Sequence, residues 1–232
     1  MTTTLITGAN KGLGHETARR LVAAGHTVYV GARDPERGRA AAEGLGARFV
    51  RLDVTDDESI AAAARTVAAD GGLDVLVNNA GIEFRTADGG IPTAAGATAE
   101  SLRKLFDTNV FGVVRVTNAF LPLLRDSAAP VVVNVSSGLS SVRALAGPAG
   151  FYTGVEYPAS KAALNMVTVQ YAKAYPDIRI NAADPGFTDT DLNQHAGTQT
   201  VEEGADVIVR LALLGPDGPT GEFFANDGPL PW

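Results

Sequence analysis

Seven β-prone runs recur along the chain, near residues 2–7, 27–32, 48–52, 73–77, 131–135, 179–183 and 222–225, and helix-length segments separate most of them. Strand–helix alternation of this kind cannot close as a sandwich or a bundle. Each strand must return through a helical crossover, so its neighbours run parallel. The handedness of such crossovers then leaves one economical architecture. The expectation is an α/β fold: a single Rossmann-like, doubly wound parallel sheet of about seven strands flanked by helices. Ligands of such sheets sit at the carboxyl edge of the strands. The 232 residues read as one domain, 1–232, without repeats or low-complexity segments. Three pattern-poor stretches, 82–97, 138–156 and 187–200, are the segments available to shape a substrate pocket; the last reads as a mobile flap.

The first strand runs into Gly8-Ala9-Asn10-Lys11-Gly12-Leu13-Gly14, and helical pattern follows from 15 to 24. A glycine turn serves structure as readily as binding. At a strand–helix junction it also lets the backbone approach a pyrophosphate beside a helix N-terminus. The spacing is G-x-x-x-G-x-G rather than the common G-x-G-x-x-G. The second strand is followed by Arg33-Asp34-Pro35-Glu36-Arg37. An acid at this point would hold the ribose diol of NAD, whereas Arg accommodates the 2′-phosphate of NADP. Arg33, Arg37 and Lys11 therefore point to NADP, with solvated pairing of the arginines to Asp34 and Glu36 as the alternative. Asp53, beside Val54, is placed either to accept from an adenine amino group or to cap the helix over 58–69. Asn79-Ala80-Gly81 at the end of the fourth strand suits close passage of a ligand.

Tyr157 and Lys161 are four apart at the start of a helical run through 171, on one face of it. A phenol titrates near ~10. An ammonium about 4 Å away favours the phenolate by roughly 4 kcal/mol at an effective dielectric of ~20, or about three pKa units. The pair thus predicts a tyrosine brought towards the working range of a proton donor. With only four lysines against fifteen arginines, a lysine there is less readily filler. Glu156, next to the tyrosine, is expected to point to solvent.

Charge and composition exclude other classes. A net charge of −7 argues against nucleic acid as partner. Without cysteine there is no thiol or zinc-thiolate chemistry, and the three scattered histidines make no metal-ligand pattern, so no metal is expected. The sequence shows neither a leader-like start nor an apolar run of spanning length, so the expected setting is cytoplasmic, without membrane attachment.

Taken together, Thr7-Gly8-x3-Gly12-x-Gly14, Asn78-Asn79-Ala80-Gly81, Asn109, Ser137, Tyr157-x3-Lys161 and Pro185-Gly186 resemble, in order and over essentially the whole chain, the short-chain dehydrogenase/reductase family. Within it the chain most resembles NADPH-dependent carbonyl reductases, through Ala32-Arg33-Asp34, Val133 to Ser137, Ser141 to Leu145 and the closing Asp227-Gly228-Pro229-x-Pro231-Trp232. The resemblance implies reversible, NADPH-dependent reduction of a small-molecule ketone or aldehyde. It implies Tyr157 as the acid that protonates the carbonyl oxygen, and Lys161 as the group that lowers the tyrosine pKa and holds the nicotinamide ribose. Ser137, rather than Ser136, would bond the substrate oxygen, and Asn109 would hold a water relaying protons to Lys161. Pro185, Gly186 and Thr188 would bind the carboxamide, Asp53 and Val54 adenine, and Asn79 and Gly81 the cofactor's ribose. A steroid, quinone or acyl-thioester ketone as substrate, and a non-catalytic NADP-binding protein, are the other readings. Ser137 and Tyr157 are twenty apart, farther than is usual in the family and closer than in the carbonyl reductases, which leaves monomer and homo-oligomer both open. Trp232 is expected either in the core or over the substrate pocket.

Overall fold

In the computed structural model, residues 2–147 and 152–232 are described. Part of the expected 138–156 loop, residues 148–151 with Phe151, lies outside them. Strands β1 (Thr3–Thr7), β2 (Thr27–Ala32), β3 (Arg48–Arg51), β4 (Val75–Asn78), β5 (Val131–Val135), β6 (Arg179–Ala183) and β7 (Phe223–Ala225) are parallel. A two-residue β8 (Gly228–Pro229) adds antiparallel to β7, so the sheet has eight strands in the order β3-β2-β1-β4-β5-β6-β7-β8. β8 is the strand the pattern does not announce: Phe224 pairs with Pro229 and Ala225 with Gly228, a hairpin too short for periodicity.

Helices α1 (Gly12–Ala23), α2 (Pro35–Leu45), α3 (Asp57–Ala69), α4 (Ala99–Phe106), α5 (Gly112–Arg125), α6 (Val142–Leu145), α7 (Glu156–Ala174) and α8 (Val201–Ala212) surround the sheet. Alternate residues of one strand face opposite cores, as a pleated strand requires. Ile6, Val77 and Val133 pack with Ala18 of α1, Ala42 of α2 and Ile208 of α8. Leu5, Leu76 and Val132 pack with Ile60 of α3, Phe120 of α5 and Ala172 of α7. All five residues of β5 are buried, the mark of a strand covered on both faces.

Local chemistry sets the helix starts. Asp34 caps α2 by accepting from the backbone N–H of Glu36 and Arg37, with Pro35 inside the first turn. Asp56, not Asp53, caps α3, accepting from Glu58 and Ser59. Thr98 with Ser101, and Thr200 with Glu203, form capping boxes on α4 and α8. α4 and α5 are joined by a π-helical turn, Asp107–Phe111, which contains Asn109. Among the described residues no helix is long and apolar enough to cross a membrane.

Candidate active site

The order of strands reverses between β1 and β4, and the ends of both open into one cleft of about 570 Å³. Gly8, Asn10, Lys11, Gly12 and Leu13 border it from the glycine turn. Gly8 has φ 65°, a left-handed conformation that glycine adopts without strain. Gly14 is not in the wall. A Cβ there would stand 2.4 Å from Asn79 Nδ2 and 2.9 Å from the Gly8 carbonyl, so only glycine lets helix and turn close together. Asn79 locks that turn, donating to the carbonyls of Thr7 at 2.8 Å and Gly8 at 3.2 Å. The Thr7 hydroxyl in return accepts from the backbone N–H of Asn79 and Ala80.

These groups fit a dinucleotide. Unlike α2, α3, α4 and α8, α1 begins without a side-chain cap and without an acid in its first turn. Its unpaired N–H groups and positive dipole end face the cleft, which suits a pyrophosphate. Arg33, Asp53 and Val54 border the cleft beyond the second and third strands, and Asn79, Ala80, Gly81 and Pro185 line its centre. Asp53 accepts from Thr55 N–H and hydroxyl at 3.0 and 2.8 Å, a turn of its own rather than the helix cap. The three expected phosphate cations are separated. Arg33 borders the cleft. Lys11 also borders it but is paired with Asp191 at 2.5 Å. Arg37 lies 3.6 Å from Asp34 and is not among the lining residues.

Lys161 is 4% exposed and donates to the Val135 carbonyl at 2.7 Å, with Nζ 5.6 Å from the centre of the Tyr157 ring. Burial lowers its pKa to about 8, against the pull of the Glu83 carboxylate. Tyr157 departs from the expectation of a lowered pKa. Burial first, then the Glu83 and Asp184 carboxylates, push its phenol up, and a hydrogen bond with Ser137 only partly opposes them. The amine lies against the ring and spends a proton on a backbone carbonyl, while carboxylates from two other segments face the phenol. Ser136 turns its hydroxyl to Asn165 at 2.6 Å, which leaves Ser137 as the serine beside Tyr157.

Asn109 is fully buried and does not border the cleft. Its amide clamps Ile82, accepting from the N–H and donating to the carbonyl at 2.9 Å each, and donates to Ser160 at 3.1 Å. It nevertheless brackets Gly81 with the amine: a Cβ on Gly81 would lie 3.5 Å from Asn109 Oδ1 and 3.6 Å from Lys161 Nζ. Glu156 is buried, not solvated, and accepts from Ser101 Oγ at 2.8 Å, because the capping serine of α4 packs against the start of α7.

A second cavity of about 290 Å³ shares Tyr157 with the first. Ser137, Gly186 and Thr188 line it. Thr188 donates to the Pro185 carbonyl at 3.0 Å and accepts from Gln199 at 2.8 Å. Sequence reasoning gave no role to Glu83, Arg85, Tyr152 or Asp184, all of which border this cavity. The available signal was an acid and a base, Glu83 and Arg85, directly after Asn79-Ala80-Gly81 in an otherwise small-residue stretch. Trp232 lines neither cavity; it stacks on Phe223 with ring centres 5.6 Å apart. The 187–200 segment carries its own ion-pair chain, in which His195 bridges Asp189 at 2.6 Å and Asp191 at 2.9 Å. The Asp189 hydrogen bond and the second carboxylate raise the His195 pKa.

The sequence profile of the short chain dehydrogenases matches residues 2–201. This chain belongs to the short-chain dehydrogenase/reductase family. A short-chain dehydrogenase, anuI, of Penicillium roqueforti is 40% identical over 91% of this chain and 88% of its own. The (-)-isopiperitenone reductase of Mentha piperita is 35% identical over 97% of this chain and 96% of its own. Among solved structures, an NADPH-bound carbonyl reductase from chicken fatty liver superposes with a TM-score of 0.87 at 29% identity, covering 100% of this chain and 99% of that one. The protein is therefore an oxidoreductase that uses a nicotinamide cofactor.

Proposed function

We propose that this protein reduces a ketone or aldehyde to the alcohol with NADPH, and that Tyr157 delivers the proton. The carrying observation is that Tyr157 stands in the wall of both cavities, with Ser137 beside it in the smaller one and Lys161 behind its ring. The larger cleft takes the dinucleotide and the smaller takes the carbonyl compound. Ser137 holds the carbonyl oxygen beside the phenol. The nicotinamide, when bound, supplies the hydride that converts the carbonyl carbon to an alcohol carbon. Tyr157 gives its proton to the oxygen, so that the carbonyl gains one hydride and one proton. Burial and nearby carboxylates keep the phenol protonated, so that its proton is in place when the carbonyl compound binds. Lys161 holds the ribose hydroxyls and replaces the proton. Asn109 fixes Ile82 and the Gly81 backbone next to that amine, and so positions the cofactor side of the site.

Arg33 at the cleft rim, where an acid would favour NAD, supports NADP. Lys11 joins it by exchanging Asp191 for the 2′-phosphate. Asp53 and Val54 contact adenine, and Pro185, Gly186 and Thr188 meet the carboxamide. NADPH oxidation measured over a panel of ketones and aldehydes tests the reading. Turnover by the wild type and its near-abolition in Tyr157→Phe are expected; equal rates in the two would remove Tyr157 as proton donor.

A further inference from the structure

The smaller cavity holds polar side chains that the reduction as read above does not bring into contact with the substrate. Arg85 donates to Glu83 at 2.8 Å and Tyr152 donates to the other Glu83 oxygen at 2.8 Å. The Glu83 and Arg85 side chains are 4% and 10% exposed. Burying an ion pair strips water from both partners, and the loss is recovered only where further hydrogen bonds satisfy each group. Glu83 meets that condition, since both oxygens have donors. Arg85 does not. Its Nε is buried without a partner, and among the described residues Glu83 is its one hydrogen-bond acceptor. A guanidinium has five N–H donors. Nε itself is closed off, so the spare donor capacity lies on the terminal nitrogens, at a wall that Arg85 shares with Ser137 and Tyr157.

We propose that Arg85 is a substrate-recognition residue: its unused donors take a second oxygen of a neutral carbonyl compound, such as a diketone, hydroxyketone or keto ester, whose first oxygen lies at Tyr157 and Ser137. The proposal rests on the reductase reading above. Charge selects neutral over anionic substrates. The Arg85 charge is already matched by Glu83, and Asp184 adds a second carboxyl group to the same cavity. A substrate carboxylate would meet no net positive field there. The rest of the wall includes Ile91, Leu139, Phe187 and Leu192, which suits a compact hydrocarbon frame. The cavity, about 290 Å³, lies at the small end of the range for small-molecule sites. A plain monoketone would fill it but leave the arginine's donors buried and unpaired, which is how polar sites reject analogues.

The test is NADPH oxidation with cyclohexanone, cyclohexane-1,2-dione, cyclohexane-1,4-dione and 4-oxocyclohexanecarboxylate. The full chain is compared as wild type, Arg85→Lys and the double variant Glu83→Gln/Arg85→Gln. The double variant removes both charges together, so no lone buried charge remains to unfold the loop; melting temperatures accompany the kinetics. In the wild type, kcat/KM for one of the diones should exceed that for cyclohexanone on the order of ten- to a hundredfold, and the keto acid should fall below cyclohexanone. In both variants the dione-to-monoketone ratio should collapse by about the same factor, because Lys cannot reproduce the guanidinium's fork. A wild type without dione preference overturns the proposal, as does a ratio that persists in the folded variants. Turnover of none of the four, with NADPH still bound, removes the reductase reading and this proposal with it.

Discussion

The two chambers that meet at Tyr157 are built by opposite means. The larger cleft is formed by strand ends and short turns, and backbone fixes it: Asn79 and Thr7 tie the glycine turn to the end of β4, and Gly14 admits no side chain. The smaller cavity is walled by segments from the long 82–97, 138–156 and 187–200 stretches, and side chains fix it: Glu83 joins Arg85 to Tyr152, and Gln199 braces Thr188. A wall of backbone tolerates little variation in sequence. A wall of side chains can be re-cut for another substrate while the reaction stays the same.

Predictions that break this comparison begin where the chambers touch. Tyr157→Phe should lower kcat by about a hundred- to ten-thousandfold, the usual worth of a positioned acid, with little change in NADPH affinity by fluorescence titration. Loss of NADPH binding in that variant would mean the two chambers do not share the tyrosine as drawn. Gly14→Ala should weaken NADPH by about tenfold or more, since overpacking of this kind costs roughly 1–3 kcal/mol, and should leave the substrate ranking of the panel intact. An altered ranking would show that the backbone wall also shapes the second cavity.

The pH profile sharpens the contrast further. Burial sets Lys161 at about 8, below the ordinary lysine value, so the ammonium prevails at pH 7 and is lost as pH rises through that point. Reductive kcat/KM should therefore fall on the alkaline side with an apparent pKa of about 8. A profile flat to well above that value would show that the amine's charge is not needed. The smallest effect concerns the cleft rim. Arg33→Ser should raise the KM for NADPH about tenfold relative to NADH, and Arg37→Ser about twofold or less, because exposed charges away from a ligand contribute little. Equal effects would place the 2′-phosphate between them.

The same division explains what the sequence alone could reveal. The parallel strands were readable because β1, β4 and β5 are short β-prone runs buried along almost their whole length, whereas β8 was not, having two residues and no period. The Tyr157–Lys161 pairing follows from spacing on one helix. The direction of the tyrosine's pKa does not, because burial in the folded chain dominates it and Glu83 and Asp184 add to it from segments far away in sequence. Glu156 misled for a related reason: an acid in the first turn of a helix usually faces water, and only the packing of α4 on α7 supplies Ser101 as its donor. The triad of Glu83, Arg85 and Tyr152 joins residues 69 apart through one carboxylate, a proximity no local pattern encodes.

Thr190 and Leu192 belong to the walls of both chambers, and Asp191 between them holds Lys11 of the glycine turn. One short segment is thus the common door of two rooms. On the proposed reading, a displacement there that opened the substrate side would also disturb the nucleotide side, so the two departures would be coupled.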